Sequence, residues 1–300
     1  MSGYIYEIFG YRVGDESDAA RSYAAKKICP FLGTQCTKVL KDRTIAGVCT
    51  VHQVKDKTPV ICCPNRMYAE EYKMLHQVAN IAFPRKLPLY SGRLAVDEAK
   101  KGNGAIAVFG HGWGGELRLP NRSGSGSYFV DWILARLNKK GELVDFTAIE
   151  VQTIDTTGSY QDALQEAVEN RNAVKNDLGL NWENVSKRII PQLIYKGQVL
   201  QREELCRTGL FFVCPSPVFE RVMNRLGGRE KLPAFPMQSA SINFINYDYR
   251  KAKTKDGVIR PLGIVDQYST TVYKLQEAFS SVNLPEGNVY RDAIRKALYD

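Results

Sequence analysis

Two acidic side chains stand within a pair of apolar, strand-like runs of the sequence. The runs cover 128–137 and 142–154, and the short segment between them ends in a glycine, as β-hairpin turns often do. Pairing the runs about this turn places Asp131 directly opposite Glu150, with their Cβ atoms about 5 Å apart. Two carboxylates at this distance repel one another unless a cation lies between them. The pattern therefore predicts a site for a hard divalent metal ion such as Mg²⁺.

A third polar residue, Gln152, follows Glu150 at the spacing of one strand face. Residues two apart on a strand project to the same side, so Val151 points to the other side. The order Asp-x18-Glu-x-Gln resembles a nuclease metal site in which glutamine replaces the usual lysine. Glutamine carries no charge, so we expect it to orient an attacking water by hydrogen bonding. Glu116, which follows the glycine-rich break at 111–115, reaches the same site in this interpretation. The alternative is that these acids are simply solvated.

The cysteines are unevenly distributed, and their clustering predicts a second metal site. Of the 7 cysteines, the N-terminal ones are Cys29, Cys36, Cys49, Cys62 and Cys63. Four thiolates from loops and short strands suit tetrahedral zinc or iron. Cys62 and Cys63 are adjacent on a predicted strand and point to opposite faces, so either one can be the fourth ligand. The alternative is a small core of free buried cysteines, which is also how we interpret Cys206 and Cys214.

The composition is that of an ordinary globular protein with a modest excess of positive charge. Lys plus Arg number 41 against 32 Asp plus Glu, a formal net charge of +9 over 300 residues. Hydrophobic residues make up 44%, which excludes collagen-like and wholly disordered chains. The charge favours a polyanionic partner such as DNA, but it fits many other basic proteins equally well. We also expect a cytoplasmic protein without disulfides, because the sequence has neither a secretory signal pattern nor a membrane-length apolar run.

Interleaved strand and helix patterns must position these groups. Predicted strands besides the hairpin cover 47–52, 60–63, 105–110, 210–214, 241–249 and 264–271. Predicted helices cover 15–28, 68–82, 160–178, 182–205, 216–226 and 286–299, with Pro191 as a kink or a first-turn residue. Because the two kinds of element alternate, we expect an α/β fold around one mixed sheet flanked by helices. We expect a small cysteine-rich region at 1–85 and a larger part at 86–300.

Six short segments form a combination that is specific, although each segment is weak alone. They are CPFLGTQC (29–36), GVCTVH (47–52), VICCPNRMY (60–68), SYFVDWILARL (127–137), AIEVQTIDTTGSY (148–160) and GLFFVCPSPVF (209–219). In this order they resemble the NotI-type family of type II restriction endonucleases. The resemblance implies a PD-(D/E)XK-type nuclease core with glutamine in the lysine position, preceded by an N-terminal iron site of four cysteines.

The resemblance also implies roles for the candidate residues. The catalytic set would be Glu116, Asp131, Glu150 and Gln152. Of these, Asp131 and Glu150 would bind Mg²⁺ together with the main-chain carbonyl of Val151. A structural iron, with zinc as the alternative, would be bound by Cys29, Cys36, Cys49 and Cys63. Cys63 is preferred to Cys62 because it directly precedes the Pro-Asn-Arg of the motif.

The activity that the resemblance implies is Mg²⁺-dependent hydrolysis of both strands of double-stranded DNA. A homodimer would cut a palindromic, GC-rich site and leave 5′ overhangs. Basic residues that could contact phosphates cluster at 139–140, 187–188, 202, 221–229 and 250–260. Other functions fit the same residues: a four-cysteine DNA-binding protein without catalysis, a PD-(D/E)XK nuclease of repair or mobile elements, or a metal-free enzyme with incidental cysteines.

Overall fold

The computed structural model describes residues 2–40, 42–56, 58–117, 129–251, 255–281 and 287–299. The strands are β1 (Gly3–Ile8), β2 (Tyr11–Arg12), β3 (Val48–Gln53), β4 (Val60–Ile61), β5 (Leu89–Ser91), β6 (Ala105–Gly110), β7 (Trp132–Leu137), β8 (Leu143–Val151), β9 (Thr156–Thr157), β10 (Gly179–Leu180), β11 (Leu210–Pro215), β12 (Ser241–Tyr249) and β13 (Leu262–Thr271). The α-helices are α1 (Asp18–Lys26), α2 (Ala69–Ala82), α3 (Leu94–Lys101), α4 (Gln161–Glu169), α5 (Ile190–Leu200), α6 (Ser216–Arg225), α7 (Gly228–Lys231), α8 (Val272–Ser281) and α9 (Val289–Tyr299). A 3-10 helix covers Pro64–Tyr68, and a π-helical turn covers Val185–Ile189. The predicted start of the hairpin at 128, part of the basic segment at 252–254 and the predicted helix start at 286 lie outside the described residues.

Within the described residues, seven strands form a mixed central sheet in the order β13-β12-β11-β8-β7-β6-β5. Strand β11 runs parallel to both β8 and β12, and β5 runs parallel to β6. The other neighbours are antiparallel. The predicted α/β fold with one mixed sheet flanked by helices is therefore confirmed at this level of description.

The register of the β7–β8 hairpin follows the prediction. Trp132 pairs with Ile149, and Arg136 pairs with Asp145. The guanidinium of Arg136 donates to both carboxylate oxygens of Asp145, at 2.7 and 2.5 Å. This cross-strand pair stabilises one register, because a slip of one residue would turn every side chain of a strand to the opposite face. Asp131 precedes β7 by one residue and thus lies level with Glu150.

The two faces of the central sheet are covered by different helices. Helix α2 packs on one face, where Ile149 and Val151 belong to its hydrophobic cluster. Helices α5, α6 and α8 pack on the other face, where Ala148 is buried. Because side chains alternate along a strand, Glu150 points to the α5 side, and it is only 7% exposed. A carboxylate therefore interrupts a largely apolar, buried face.

A second, four-stranded sheet in the order β2-β1-β3-β4 is formed by the described part of the N-terminal region. A buried ion pair joins Glu7 of β1 to Arg66 of the 3-10 helix, with Arg66 Nε 3.0 Å from Glu7 Oε2. The hydroxyls of Thr50 and Tyr249 donate to the same carboxylate oxygen. Removing one partner of such a pair typically costs about 3–5 kcal/mol, because the other charge stays buried. The hydroxyl of Tyr249 thus ties β1 to β12, while the predicted division at residue 85 stays a prediction.

The predicted helix over 160–178 is wrong beyond Glu169, where α4 ends. Arg171 has a φ of 50°, in the left-handed region, which an α-helix does not tolerate. Its buried guanidinium donates to the main-chain carbonyls of Arg12 and Asp15. The helical spacing continues in the sequence, but these distant acceptors stop the helix and redirect the chain towards β10.

The predicted helix over 182–205 is also shorter than expected, since α5 ends at Leu200. Pro191 lies in the first turn of α5, where its missing N–H costs nothing.

Strand β1 was not predicted, because Tyr4 and Tyr6 occupy its less buried face and blur the alternation of polar and apolar residues. Strand β5 and helices α3 and α8 were also missed. None of the described helices is long and apolar enough to cross a membrane.

Candidate active site and cysteine cluster

Asp131 and Glu150 meet at one end of the β7–β8 hairpin. The main-chain N–H of Val151 donates to Asp131 Oδ2 at 2.7 Å, which fixes this carboxylate beside the end of β8. Glu150 Oε2 is buried, with the ammonium group of Lys196 2.6 Å away. The structure therefore brings together the two carboxylates that the sequence pairs.

The electrostatics of this pair are unfavourable for two free carboxylates. Burial, and then repulsion by Asp131, raises the pKa of Glu150 to about 7. Burial likewise raises the pKa of Asp131, with a further contribution from Glu116, although the N–H of Val151 and the charge of Lys196 act against it. Buried carboxylates that disfavour joint ionisation are typical of catalytic and cation-binding sites.

A lysine that sequence reasoning missed completes this cluster. Lys196 lies in α5, and its Nζ is 2.6 Å from Glu150 Oε2. The contact is a short ion pair between two largely buried side chains. The side chain of Lys196 is 14% exposed. The available signal was its position as the lone charged residue between Arg188 and Arg202, in an otherwise apolar or neutral helical run.

Glu116 and Gln152 lie near the carboxylate pair, but their side chains are engaged with other neighbours. Glu116 is 53% exposed, 3.6 Å from Nδ1 of His111, and its charge reaches Asp131. Gln152 lies one residue beyond β8, and its side-chain Nε2 donates to the main-chain carbonyl of Thr153 at 3.1 Å. Glu116 thus lies at the rim of the carboxylate pair, whereas the amide of Gln152 is engaged with its own neighbour. Their catalytic roles stay predictions.

The five N-terminal cysteines are all buried. Burial raises the pKa of the Cys29 thiol, while hydrogen bonds from the main-chain N–H groups of residues 31 and 32 act in the opposite direction. Similarly, the N–H of Gly10 donates to Cys49 Sγ at 3.3 Å. Burial raises the pKa of Cys63 to about 12, again against an N–H bond, here from Asn65. Main-chain donors aimed at sulfur stabilise a thiolate relative to a thiol.

Cys62 and Cys63 differ in their surroundings. The predicted strand over 60–63 ends at Ile61, so both cysteines lie beyond it. Cys62 Sγ lies 3.4 Å from the ammonium group of Lys38, whose charge also acts on Cys63, and the charge of Cys63 acts on Cys49. Within the described ranges, no group of three or more Cys, His, Asp or Glu side chains has the geometry of a metal site. The four-cysteine site therefore stays a prediction.

The family model described as restriction endonuclease NotI matches residues 7–255, a range that contains both the hairpin carboxylates and the cysteine cluster. This protein belongs to the NotI restriction endonuclease family. It is therefore a type II site-specific deoxyribonuclease, and its substrate is double-stranded DNA. No individually curated protein matches the chain. Family membership separates this protein from the non-catalytic DNA-binding proteins and the unrelated metal-free enzymes considered from its sequence.

Several basic residues of this NotI-family chain, expected to contact phosphates, are already engaged within the protein. Arg229 pairs with Asp266 at 2.5 Å, and the guanidinium of Arg221 lies 4.7 Å from the ring centroid of Trp182. Arg225 lies over the ring of Phe279 at 4.8 Å. These partners orient the guanidinium groups without neutralising all of them. Which of them contacts DNA stays a prediction.

Proposed function

We propose that the protein is a Mg²⁺-dependent restriction endonuclease with a PD-(D/E)XK-type core. In this proposal Asp131 and Glu150 bind the metal ion together with the main-chain carbonyl of Val151. The observation that carries it is the meeting of half-buried Asp131 and buried Glu150 at the end of the β7–β8 hairpin, where the main-chain N–H of Val151 fixes the Asp131 carboxylate. Hard oxygen ligands of this kind suit Mg²⁺.

The residues present fit a divalent cation. Burial raises the pKa of both carboxylates, and repulsion by Asp131 raises that of Glu150 further; a bound cation would relieve both effects. When bound, Mg²⁺ lowers the pKa of a coordinated water and neutralises charge on the scissile phosphate. The N–H of Val151 holds Asp131 in place. Gln152 would orient the attacking water through its side-chain amide, and Glu116 would bind a second ion or its waters.

We further propose that Cys29, Cys36, Cys49 and Cys63 bind one iron ion, or zinc, that stabilises the N-terminal region. Three of these sulfurs accept main-chain N–H bonds, which favour the thiolate form that a metal requires. Cys63 is included in place of Cys62 because it directly precedes the Pro-Asn-Arg of the motif, and because it interacts electrostatically with Cys36 and Cys49. The site is structural and lies apart from the hairpin carboxylates in the sequence.

The substrate site proposed is palindromic and GC-rich, with cleavage that leaves 5′ overhangs. This part rests on the resemblance of the sequence segments and on family membership. A palindrome has two-fold symmetry, so a homodimer is the proposed active form.

The decisive experiment is digestion of a large defined DNA with purified protein and Mg²⁺, followed by sequencing of the ends. We expect discrete fragments whose ends share one short palindrome. Random ends would contradict the proposal of sequence-specific cleavage. Ends that depend on DNA structure would indicate a repair-type nuclease, and an intact substrate would contradict the proposed activity.

The Mg²⁺ requirement of cleavage is expected to rise as pH falls from 8 to 6. Because the pKa of Glu150 in the metal-free protein is about 7, a proton occupies this ligand below neutral pH and competes with the metal ion. Above pH 7 the carboxylate is ionised and the competition disappears. Displacement of one proton weakens apparent binding by up to about tenfold per pH unit. The half-saturating Mg²⁺ concentration, measured at constant ionic strength, tests this; an equal value at pH 6 and pH 8 would contradict it.

A further inference from the structure

The proposed nuclease site lacks a charged residue at the second position after Glu150. Gln152 occupies that position, and it carries no charge. The described part of the site nevertheless contains a cation, because Lys196 reaches Glu150 from helix α5. This lysine comes from a different element of the fold, more than 40 residues further along the chain.

The position of Lys196 is set by close packing of α5 against the sheet. A Cβ atom at Gly197 would lie 2.7 Å from Cδ1 of Ile242 and 3.0 Å from Cγ2 of Val272. The helix therefore approaches β12 and α8 as closely as a glycine allows. The adjacent Lys196 is thereby held over the carboxylates, and its charge acts on Asp131 as well as on Glu150.

A purely structural role explains this arrangement poorly. Other residues of α5 that face the core are apolar, such as Ile190, Leu193 and Leu200. Replacing a buried ion pair by apolar residues of similar volume is often neutral or stabilising. A lysine and a glutamate buried together next to a third charged group, Asp131, therefore cost stability that an apolar pair would not.

We propose that Lys196 is the positioning cation of the active site and supplies the positive charge that Gln152 lacks. This inference rests on the proposed function, in which Asp131 and Glu150 are metal ligands. The ammonium group holds the Glu150 carboxylate beside Asp131 despite their mutual repulsion, so that both oxygens are in place when the metal ion and DNA bind. Lys196 acts through Glu150 and is not assigned to the reacting atoms.

The test compares single-turnover cleavage rates at saturating Mg²⁺ with DNA affinity measured in Ca²⁺. Lys196→Met is expected to slow cleavage about 100-fold, the typical effect of misplacing a catalytic group, with DNA affinity changed less than about threefold. Lys196→Arg, which keeps the charge, is expected to retain more activity than Lys196→Met. The double variant Gln152→Lys with Lys196→Met places a lysine on the same strand face as Glu150. Its cleavage rate is expected to be at least about tenfold higher than that of Lys196→Met. Lys101→Met removes an exposed lysine of α3 and serves as the control.

The outcomes separate this inference from the proposed function. An inactive wild-type protein would contradict the proposed function itself. If the wild type cleaves, two results would overturn the role of Lys196 and leave the proposed function standing. One is a wild-type cleavage rate in Lys196→Met. The other is equal cleavage rates for Lys196→Arg and Lys196→Met together with no rescue by Gln152→Lys. If Lys196→Met does not fold, Lys196→Arg and Lys196→Gln decide the question, since equal cleavage rates of these two would overturn it.

Discussion

Asp131→Asn is expected to reduce DNA cleavage about 1000-fold or more and, at the same time, to stabilise the metal-free protein at pH 8. Activity falls because an amide is a poor Mg²⁺ ligand in place of a carboxylate. Stability rises because the substitution removes a buried charge that repels Glu150, while the asparagine oxygen still accepts the N–H of Val151. We expect a gain of about 1 kcal/mol in the free energy of unfolding, within the usual range for removing unfavourable charge at an active site.

The stabilisation has a definite pH dependence. The folded protein holds the pKa of Glu150 at about 7, above its ordinary value of 4.5. The unfolded chain therefore ionises first, and the stability contributed by this group is complete below about pH 4.5 and lost as pH rises through 7. Removing the Asp131 charge lessens that loss. The gain from Asp131→Asn should consequently be larger at pH 8 than at pH 5.

Urea unfolding at both pH values and plasmid cleavage in Mg²⁺ measure the two effects. Asp145→Asn is the matched control. It removes a carboxylate from the same hairpin, but this carboxylate pairs with Arg136 and not with a residue of the active site. It is expected to lower stability and leave cleavage within about threefold of wild type. Wild-type cleavage by Asp131→Asn would place the metal site elsewhere. A loss of stability at pH 8 would show that repulsion within the pair is not the dominant contribution.

Cys63→Ser is expected to abolish metal binding and to lower the melting temperature by more than about 10 °C, whereas Cys62→Ser retains the metal. Structural four-ligand sites contribute on the order of 10 kcal/mol of binding free energy at neutral pH. A serine does not replace a thiolate ligand, so most of that contribution disappears. Cys62 faces Lys38, and its loss removes only a local contact.

Elemental analysis and calorimetry of the two variants and the wild type test this prediction, and the analysis also distinguishes iron from zinc. Metal retained in Cys63→Ser but lost in Cys62→Ser would make Cys62 the fourth ligand. A folded wild type without bound metal would contradict the four-cysteine site altogether. Chelation is expected to unfold the N-terminal region before it affects cleavage chemistry.

The amino-acid sequence determined the local geometry of the hairpin and most of the central strands. Strand alternation placed Glu150 and Val151 on opposite faces, and the short turn set the pairing that puts Asp131 level with Glu150. Strands β6 and β12 and helix α6 likewise follow their predicted ranges closely, because each is a continuous run with one clear periodicity. The clustering of the cysteines could also be recognised from the sequence, because the spacings between them are short and require no knowledge of the fold.

Only the tertiary structure decided which distant groups meet. The contact of Lys196 with Glu150 depends on how closely α5 packs at Gly197, and the end of α4 depends on carbonyls near the N-terminus that bind Arg171. The different partners of Cys62 and Cys63 depend on the approach of Lys38. Periodicity reports only which face of an element is buried, whereas these contacts join residues far apart in the chain. The energy of a buried charge depends on what surrounds it in three dimensions. Lys196 could therefore be recognised as the cation of this site only from the folded structure.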